Sequence, residues 1–363
     1  MKNLTWYALA VLALPAPARA GDGSPCDCPV VRPDLAGQVI DYTHNHGRDR
    51  RIYSAALGQK RDLYVYLPPG FDPKRQYPLI IFLHGYAYIG DESTFLNHVV
   101  CPLDRAIRTG QSPPIIAAAP DGTLRGKPGL NEGGSFFINS NAGKFQDWIV
   151  NDLWAFLNAR YPIRPEPEAH VLVGASMGGF GAYNIAMKHR DRYKVVVGIL
   201  PALNVRWIGA GGDYMADFSP QCWGWRQSAN DPREVVGRFM HGLIKIRLGQ
   251  VLYPLFGRGP DALQRASLEN PIEMIDRYRI GERDLDMYIA YAGRDEFNLD
   301  AHAESFIYLA RSRGIQPVVR CDPQGKHSTT TAVGMIPDVQ RWLAERLRSY
   351  RLDEPSSVAE AAK

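Results

Sequence analysis

Beyond residue 14 the chain has no apolar run approaching the ~20 residues that a membrane-spanning helix requires. It also lacks internal repeats, a Pro/Ser-rich linker and any long interior block of like charge, so neither a solenoid nor a string of tethered modules is indicated. The net charge of +4 is small for 363 residues and forms no basic stripe, and no nucleic-acid partner is expected. Cysteine is sparse: Cys26, Cys28, Cys101, Cys222 and Cys321 are the five, and an odd number leaves at least one thiol unpaired within the chain. His44 and His46 resemble a pair of metal ligands, but no carboxylate or cysteine cluster accompanies them at a suitable spacing, so no metal is expected.

What is present is apolar material: 45% of residues are hydrophobic and 22% charged, enough for a large core in a single domain. The first twenty residues carry Lys2, an apolar run over 4–14 and Ala18-Arg19-Ala20 before Gly21, the three parts of a secretory signal. Residues 1–20 are therefore expected to be a cleaved leader, with a retained membrane anchor as the alternative. The mature protein would be secreted or periplasmic, in a compartment that permits disulfides. One domain over 21–350 and a flexible polar tail over 351–363 complete the expected organisation.

Residues 62–67 alternate apolar and polar and end in Pro68-Pro69-Gly70, which predicts a strand running into a turn. Unbroken apolar runs at 77–83, 115–119, 171–173, 195–200, 287–290 and 317–319 predict strands buried on both faces. Between them, Trp148, Ile149, Leu153, Phe156 and Leu157 share a helical face. So do Phe306, Leu309 and Ala310, and later Ile336, Val339, Trp342 and Leu343. Buried strands alternating with helices imply an α/β architecture: a mostly parallel, doubly wound sheet. In such sheets chemistry sits just beyond the carboxyl ends of the strands.

At one such end, Gly174-Ala175-Ser176-Met177-Gly178 follows a strand and precedes a helix-like stretch. This G-x-S-x-G turn lifts a serine hydroxyl clear of the backbone and makes Ser176 the candidate nucleophile. A serine needs a base to take its proton and an acid to orient that base. His327 follows the 317–319 strand, and Asp295 follows the 287–290 strand after Gly293-Arg294; their order along the chain, Ser, Asp, His, suits this fold. Asp295 is preferred to its neighbour Glu296, read as a solvated charge. His302 on a helix, His241 in an insertion, and His44 and His46 upstream of the core are read as surface or packing residues. Two N–H donors are needed for the oxyanion: the backbone of Met177, and that of Tyr86 in the loop His84-Gly85-Tyr86, where Gly85 is expected to allow a conformation that larger residues resist.

These segments resemble the esterase family that groups esterase D, bacterial feruloyl and siderophore esterases and the mycolyltransferases. The likeness runs through Val65-Tyr66-Leu67-Pro68-Pro69-Gly70-Phe71, Leu83-His84-Gly85, Ala119-Pro120-Asp121-Gly122, residues 174–183 and the Gly293-Arg294-Asp295 turn with His327. It implies an α/β-hydrolase fold, acyl-enzyme chemistry and no cofactor. The expected function is an exported carboxylic-ester hydrolase whose partner is a small or polymer-linked ester. Alternatives are an acyltransferase with the same triad, a peptidase, or a hydrolase-like binding protein without turnover. An insertion at about 203–284, with Trp207, Trp223, Trp225 and an apolar stretch over 239–256, departs from a simple crossover. It is expected to cap the site and set the acyl group. A packing role and an amphipathic membrane-surface helix with Lys245 and Arg247 on its cationic face are the alternatives. Ser328-Thr329-Thr330-Thr331 after the histidine is a second departure.

Overall fold

Eight strands share one sheet: β1 (Gln38–Tyr42), β2 (Leu63–Leu67), β3 (Leu79–Leu83), β4 (Ile116–Pro120), β5 (His170–Ala175), β6 (Val195–Ile199), β7 (Asp286–Ala292) and β8 (Val318–Asp322). The structure is a computed structural model that describes residues 34–86, 94–124, 134–229, 231–239, 244–259 and 261–350. The expected leader at 1–20, Cys26, Cys28, His241 and the tail at 351–363 lie outside the described residues.

The strand order is β1-β2-β4-β3-β5-β6-β7-β8. β2 pairs antiparallel with both β1 and β4, and every pairing from β4 onward is parallel. The central strands read as apolar runs because both of their faces are covered. Along β3, Leu79, Ile81 and Leu83 enter one core cluster while Ile80 and Phe82 enter the other, which is the two-residue period of a strand.

Eight helices of seven residues or more flank the described sheet: α1 (Cys101–Arg108), α2 (Trp154–Arg160), α3 (Met177–Lys188), α4 (Leu248–Phe256), α5 (Asp261–Glu269), α6 (Pro271–Arg277), α7 (Leu299–Ser312) and α8 (Thr329–Arg346). Leu103 of α1 and Met335, Val339 and Leu343 of α8 cover one face of the sheet; Phe180 of α3 and Phe306 of α7 cover the other.

Three details differ from the sequence expectation. β1 was not expected, because an antiparallel edge strand of five residues has no long apolar run. The stretch before α2 winds as a π turn over Trp148–Leu153, which keeps its apolar face inward. The insertion forms two short antiparallel pairs, Trp207–Ile208 with Gly224–Trp225 and Val235–Phe239 with Ile244–Arg247, and then α4, α5 and α6. Lys245 and Arg247 therefore sit on a strand rather than on a helix face, and the amphipathic membrane-surface helix is not formed. Among the described residues no helix is long and apolar enough to cross a membrane.

Candidate active site

The turn between β5 and α3 is built by close approach. A Cβ at Gly174 would lie 2.0 Å from the Gly178 carbonyl oxygen, and one at Gly178 would lie 1.9 Å from the Leu83 oxygen. No side chain fits at either position, so α3 starts hard against the ends of β3 and β5. Ser176, wedged between them, takes φ 53° and ψ −115°, a strained conformation for a residue with a Cβ. Its N–H donates to the Ile199 oxygen at 2.8 Å and its carbonyl accepts from the Phe180 N–H at 3.1 Å, which holds the strain in place.

The loop after β7 carries Asp295 and the loop after β8 carries His327, and the two are laced together. Gly293 N–H donates to the Asp322 oxygen at 2.8 Å, and Arg294 N–H to the Gly325 oxygen at 3.0 Å. The structure brings the three residues into one hydrogen-bonded row. Ser176 Oγ is 2.9 Å from His327 Nε2, and His327 Nδ1 is 2.7 Å from Asp295 Oδ2. Asp295 Oδ1 also accepts the Phe297 N–H at 2.9 Å, so the carboxylate is oriented at both oxygens. The Asp295 side chain is 1% exposed and the His327 side chain 14%. A buried carboxylate beside an imidazole holds the proton on Nδ1, leaving Nε2 to accept from the serine.

Glu296 differs from its sequence reading. It is not a solvated charge, because its Oε2 accepts the backbone N–H of His327 at 2.8 Å. Asp295 thus holds the ring and Glu296 the backbone of the same histidine. Asp295 stands where the sequence preference put it, whereas the hold of Glu296 on the histidine backbone had no sequence signal. Phe297 completes the support, with its ring 4.8 Å from the His327 ring in an edge-on arrangement.

Tyr86 and Met177 both border the cavity that contains Ser176. Met177 opens α3, and the first N–H groups of a helix have no partner within it. The expectation for Gly85 is corrected. Its φ lies outside the left-handed range, and a Cβ there would stand 3.7 Å from the Ser176 Cβ, an ordinary contact. Gly85 is small beside the serine, not strained. The neighbouring His84 accepts the Gly122 N–H on Nε2 at 2.9 Å and donates from Nδ1 to the Gly85 oxygen at 2.8 Å. Burial keeps this imidazole neutral by pushing its pKa below the ordinary value. Phe136 and Phe137, both at positive φ, pack around this loop, and neither was singled out from the sequence.

His44, His46 and His302 stand apart from the row. His44 pairs with Asp62 at 3.5 Å and His46 with Asp41 at 3.1 Å, each on its own carboxylate. His302 is buried on α7 with Nε2 3.2 Å from the Tyr214 hydroxyl, and burial lowers its pKa to about 3. Among the described residues no cluster of three or more His, Cys, Asp or Glu side chains is placed to hold a metal. Cys222 and Cys321 stand as thiols.

The cavity holds about 640 Å³. Val236, Ile246, Leu248, Val251 and Leu252 of the insertion form part of its wall; Phe256, at the end of the apolar stretch, packs in the core without lining the cavity. The insertion is also bonded to the acid loop: Arg238 N–H donates to the Glu296 oxygen at 3.0 Å, and the Tyr214 hydroxyl to the Phe297 oxygen at 2.9 Å.

Comparison with known proteins agrees with this architecture. An S-formylglutathione hydrolase from Arabidopsis thaliana is 26% identical over 165 residues, 42% of this chain, and the match spans only 55% of the plant protein's length. Among solved structures, a ferulic acid esterase superposes with a TM-score of 0.61 at 16% identity, covering 86% of this chain and 99% of the other. An S-formylglutathione hydrolase from Agrobacterium tumefaciens gives 0.59 at 16% identity, covering 86% and 96%. At such identities the superpositions establish the α/β-hydrolase fold. The family described as "Putative esterase" matches residues 54–330, most of the chain, and the protein belongs to that family.

Proposed function

We propose that the protein is a serine carboxylic-ester hydrolase that works through an acyl-enzyme on Ser176. The observation that carries this reading is the row Ser176 Oγ, His327 Nε2, His327 Nδ1, Asp295 Oδ2, with 2.9 and 2.7 Å between successive partners, at the strained turn between β5 and α3. His327 takes the serine proton as Oγ bonds to the ester carbonyl carbon. The tetrahedral oxyanion is held by the N–H groups of Met177 and Tyr86. On collapse the carbon–oxygen bond to the alcohol breaks, and His327 Nε2 returns the proton to the leaving oxygen. Water then adds its hydroxyl to the acyl carbon and its proton, through His327, to Ser176 Oγ. The acid is released and the enzyme restored.

Export to the periplasm or the medium is part of the proposal and rests on the N-terminal sequence pattern at 2–20. The wild-type protein and Ser176→Ala are to be compared on p-nitrophenyl esters, with circular dichroism to confirm folding. Loss of nearly all turnover in a folded variant, by a factor on the order of 10⁴ to 10⁶, is the expected result. A folded Ser176→Ala protein with wild-type rates would refute the reading. Adding alcohol acceptors to the same assay identifies acyl transfer if ester products replace the free acid.

A further inference from the structure

The cavity at Ser176 has two dissimilar walls. One belongs to the insertion. The other lies beneath the sheet's α1/α8 face, where Ile80 and Phe82 of β3 and Val173 of β5 look across at Leu103 of α1 and at Ile336 and Val339 of α8. Ala175, the residue before Ser176, lies on this wall, so the void opens directly at the nucleophile. It runs deep. Ile80 is level with Val171, five residues before Ser176, which at ~3.3 Å per residue places the floor about 16 Å below the hydroxyl. On the helix side, lining residues extend from Thr329 to Leu343, about 21 Å at ~1.5 Å per residue.

Protein interiors close up around apolar side chains, and an unfilled apolar void forfeits contacts on every wall. A long, mostly apolar channel beginning at the reacting atom therefore fits an occupant that supplies those contacts. An extended chain of sixteen carbons joined by bonds of ~1.5 Å is roughly 20 Å long, close to the helix-side length of about 21 Å and somewhat longer than the strand-side depth of about 16 Å. The deep end is bordered by Ile80, Leu103 and Ile115, all buried. An apolar pocket of this depth suits the part of the substrate that stays bonded to Ser176 while alcohol leaves and water enters.

Resting on the reading that Ser176 forms an acyl-enzyme, we infer that the substrate class is esters of long unbranched fatty acids, with the acyl chain laid between α1, α8 and the sheet. The insertion then borders the side through which alcohol and water exchange. Ala106, on α1 near the floor, is the position that sets the maximum chain length.

The test measures kcat/KM for p-nitrophenyl butanoate, decanoate and hexadecanoate, together with the rate at which alkyl phosphonates of the same three lengths label Ser176. The wild-type protein should prefer the longer chains, with up to roughly a fourfold gain for each methylene that enters the channel. Ala106→Phe should lower the hexadecanoate-to-butanoate ratio about ten- to a hundredfold in both assays while the butanoate values hold. Leu343→Ala, which widens the same floor, should move the ratio the other way, and it serves if the bulky variant does not fold. The proposal is overturned by a wild-type preference for butanoate, by Ala106→Phe changing all three lengths in parallel, or by chain-length preference following Leu252→Ala in the insertion wall. Failure of Ser176 itself looks different. A small fluorophosphonate would then leave Ser176 unlabelled and no ester of any length would be cleaved.

Discussion

Replacing Asp295 by Asn separates orientation from mere occupancy at the base. In the wild-type protein one carboxylate oxygen accepts the His327 Nδ1–H at 2.7 Å and the other accepts the Phe297 N–H at 2.9 Å. An asparagine keeps its shape and turns its carbonyl to one of these donors, and its NH₂ then faces the other. The Phe297 N–H is fixed in the backbone and cannot turn away, so the amide nitrogen falls to the imidazole. His327 must then carry its proton on Nε2, the atom that should accept from Ser176, and the imidazolium loses its counter-charge. Tautomer loss of this kind costs on the order of 10⁴ in turnover, about 5 kcal/mol at ~1.36 kcal/mol per tenfold. Glu296→Gln should be much milder, because the amide oxygen still accepts the His327 backbone N–H. Replacing a charged acceptor by a neutral one there removes about 1 kcal/mol, a factor of less than ~10. The assay is single-turnover acylation with p-nitrophenyl butanoate at pH 7–8, with thermal melts to show that both variants fold. Equal losses in the two variants, or a larger loss for Glu296→Gln, would refute this division of labour.

Gly178→Ala should remove activity and lower the melting temperature together. Its Cβ would sit 1.9 Å from the Leu83 oxygen, so α3 and the Met177 N–H must shift; wild-type kinetics in a stable variant would contradict this packing. Tyr86→Pro removes the backbone N–H together with the phenol, and relative to a Tyr86→Ala control kcat should fall about 10² to 10³-fold with folding retained; equal kcat in the two variants would assign the second oxyanion donor elsewhere. His302 is neutral when buried, with a pKa lowered to about 3, whereas in the unfolded chain it binds a proton near pH 6.5. The unfolded state thus holds the extra proton between these values, and stability must fall as pH drops from about 6.5 toward 3. His302→Phe should flatten that slope in melts taken from pH 4 to 8; an unaltered slope would place the acid sensitivity in other groups.

Much of this arrangement was legible because the signals were local. The run over 77–83 and the glycines flanking Ser176 each carry their structural meaning within a few residues, and β3 and the β5–α3 turn follow from them. Asp295 and His327 could be named because strand ends in a parallel sheet converge, although 32 residues separate them. The role of Glu296 was not legible, since only the folded loops bring its carboxylate to the His327 backbone. The same holds for β1, an edge strand without a two-sided apolar pattern, and for the insertion. Its stretch over 239–256 reads as one apolar block, yet its described residues divide between the paired strands Val235–Phe239 and Ile244–Arg247 and α4, with Arg238 N–H held by the Glu296 carbonyl and Leu248 N–H by the Glu234 carbonyl. The channel beneath α1 and α8 had no sequence signature, because its lining residues are ordinary core positions on four separate elements.

The most direct test is intact-mass and peptide mass spectrometry of the protein quenched in acid during turnover of a slowly deacylating ester. The account predicts a covalent acyl adduct, its mass that of the acyl group added with loss of one hydrogen, on the peptide containing Ser176. The adduct should be absent from Ser176→Ala and accumulate when deacylation is slowed. An adduct on another residue, or steady hydrolysis by the wild-type protein with no adduct under conditions where acylation outpaces deacylation, would contradict it.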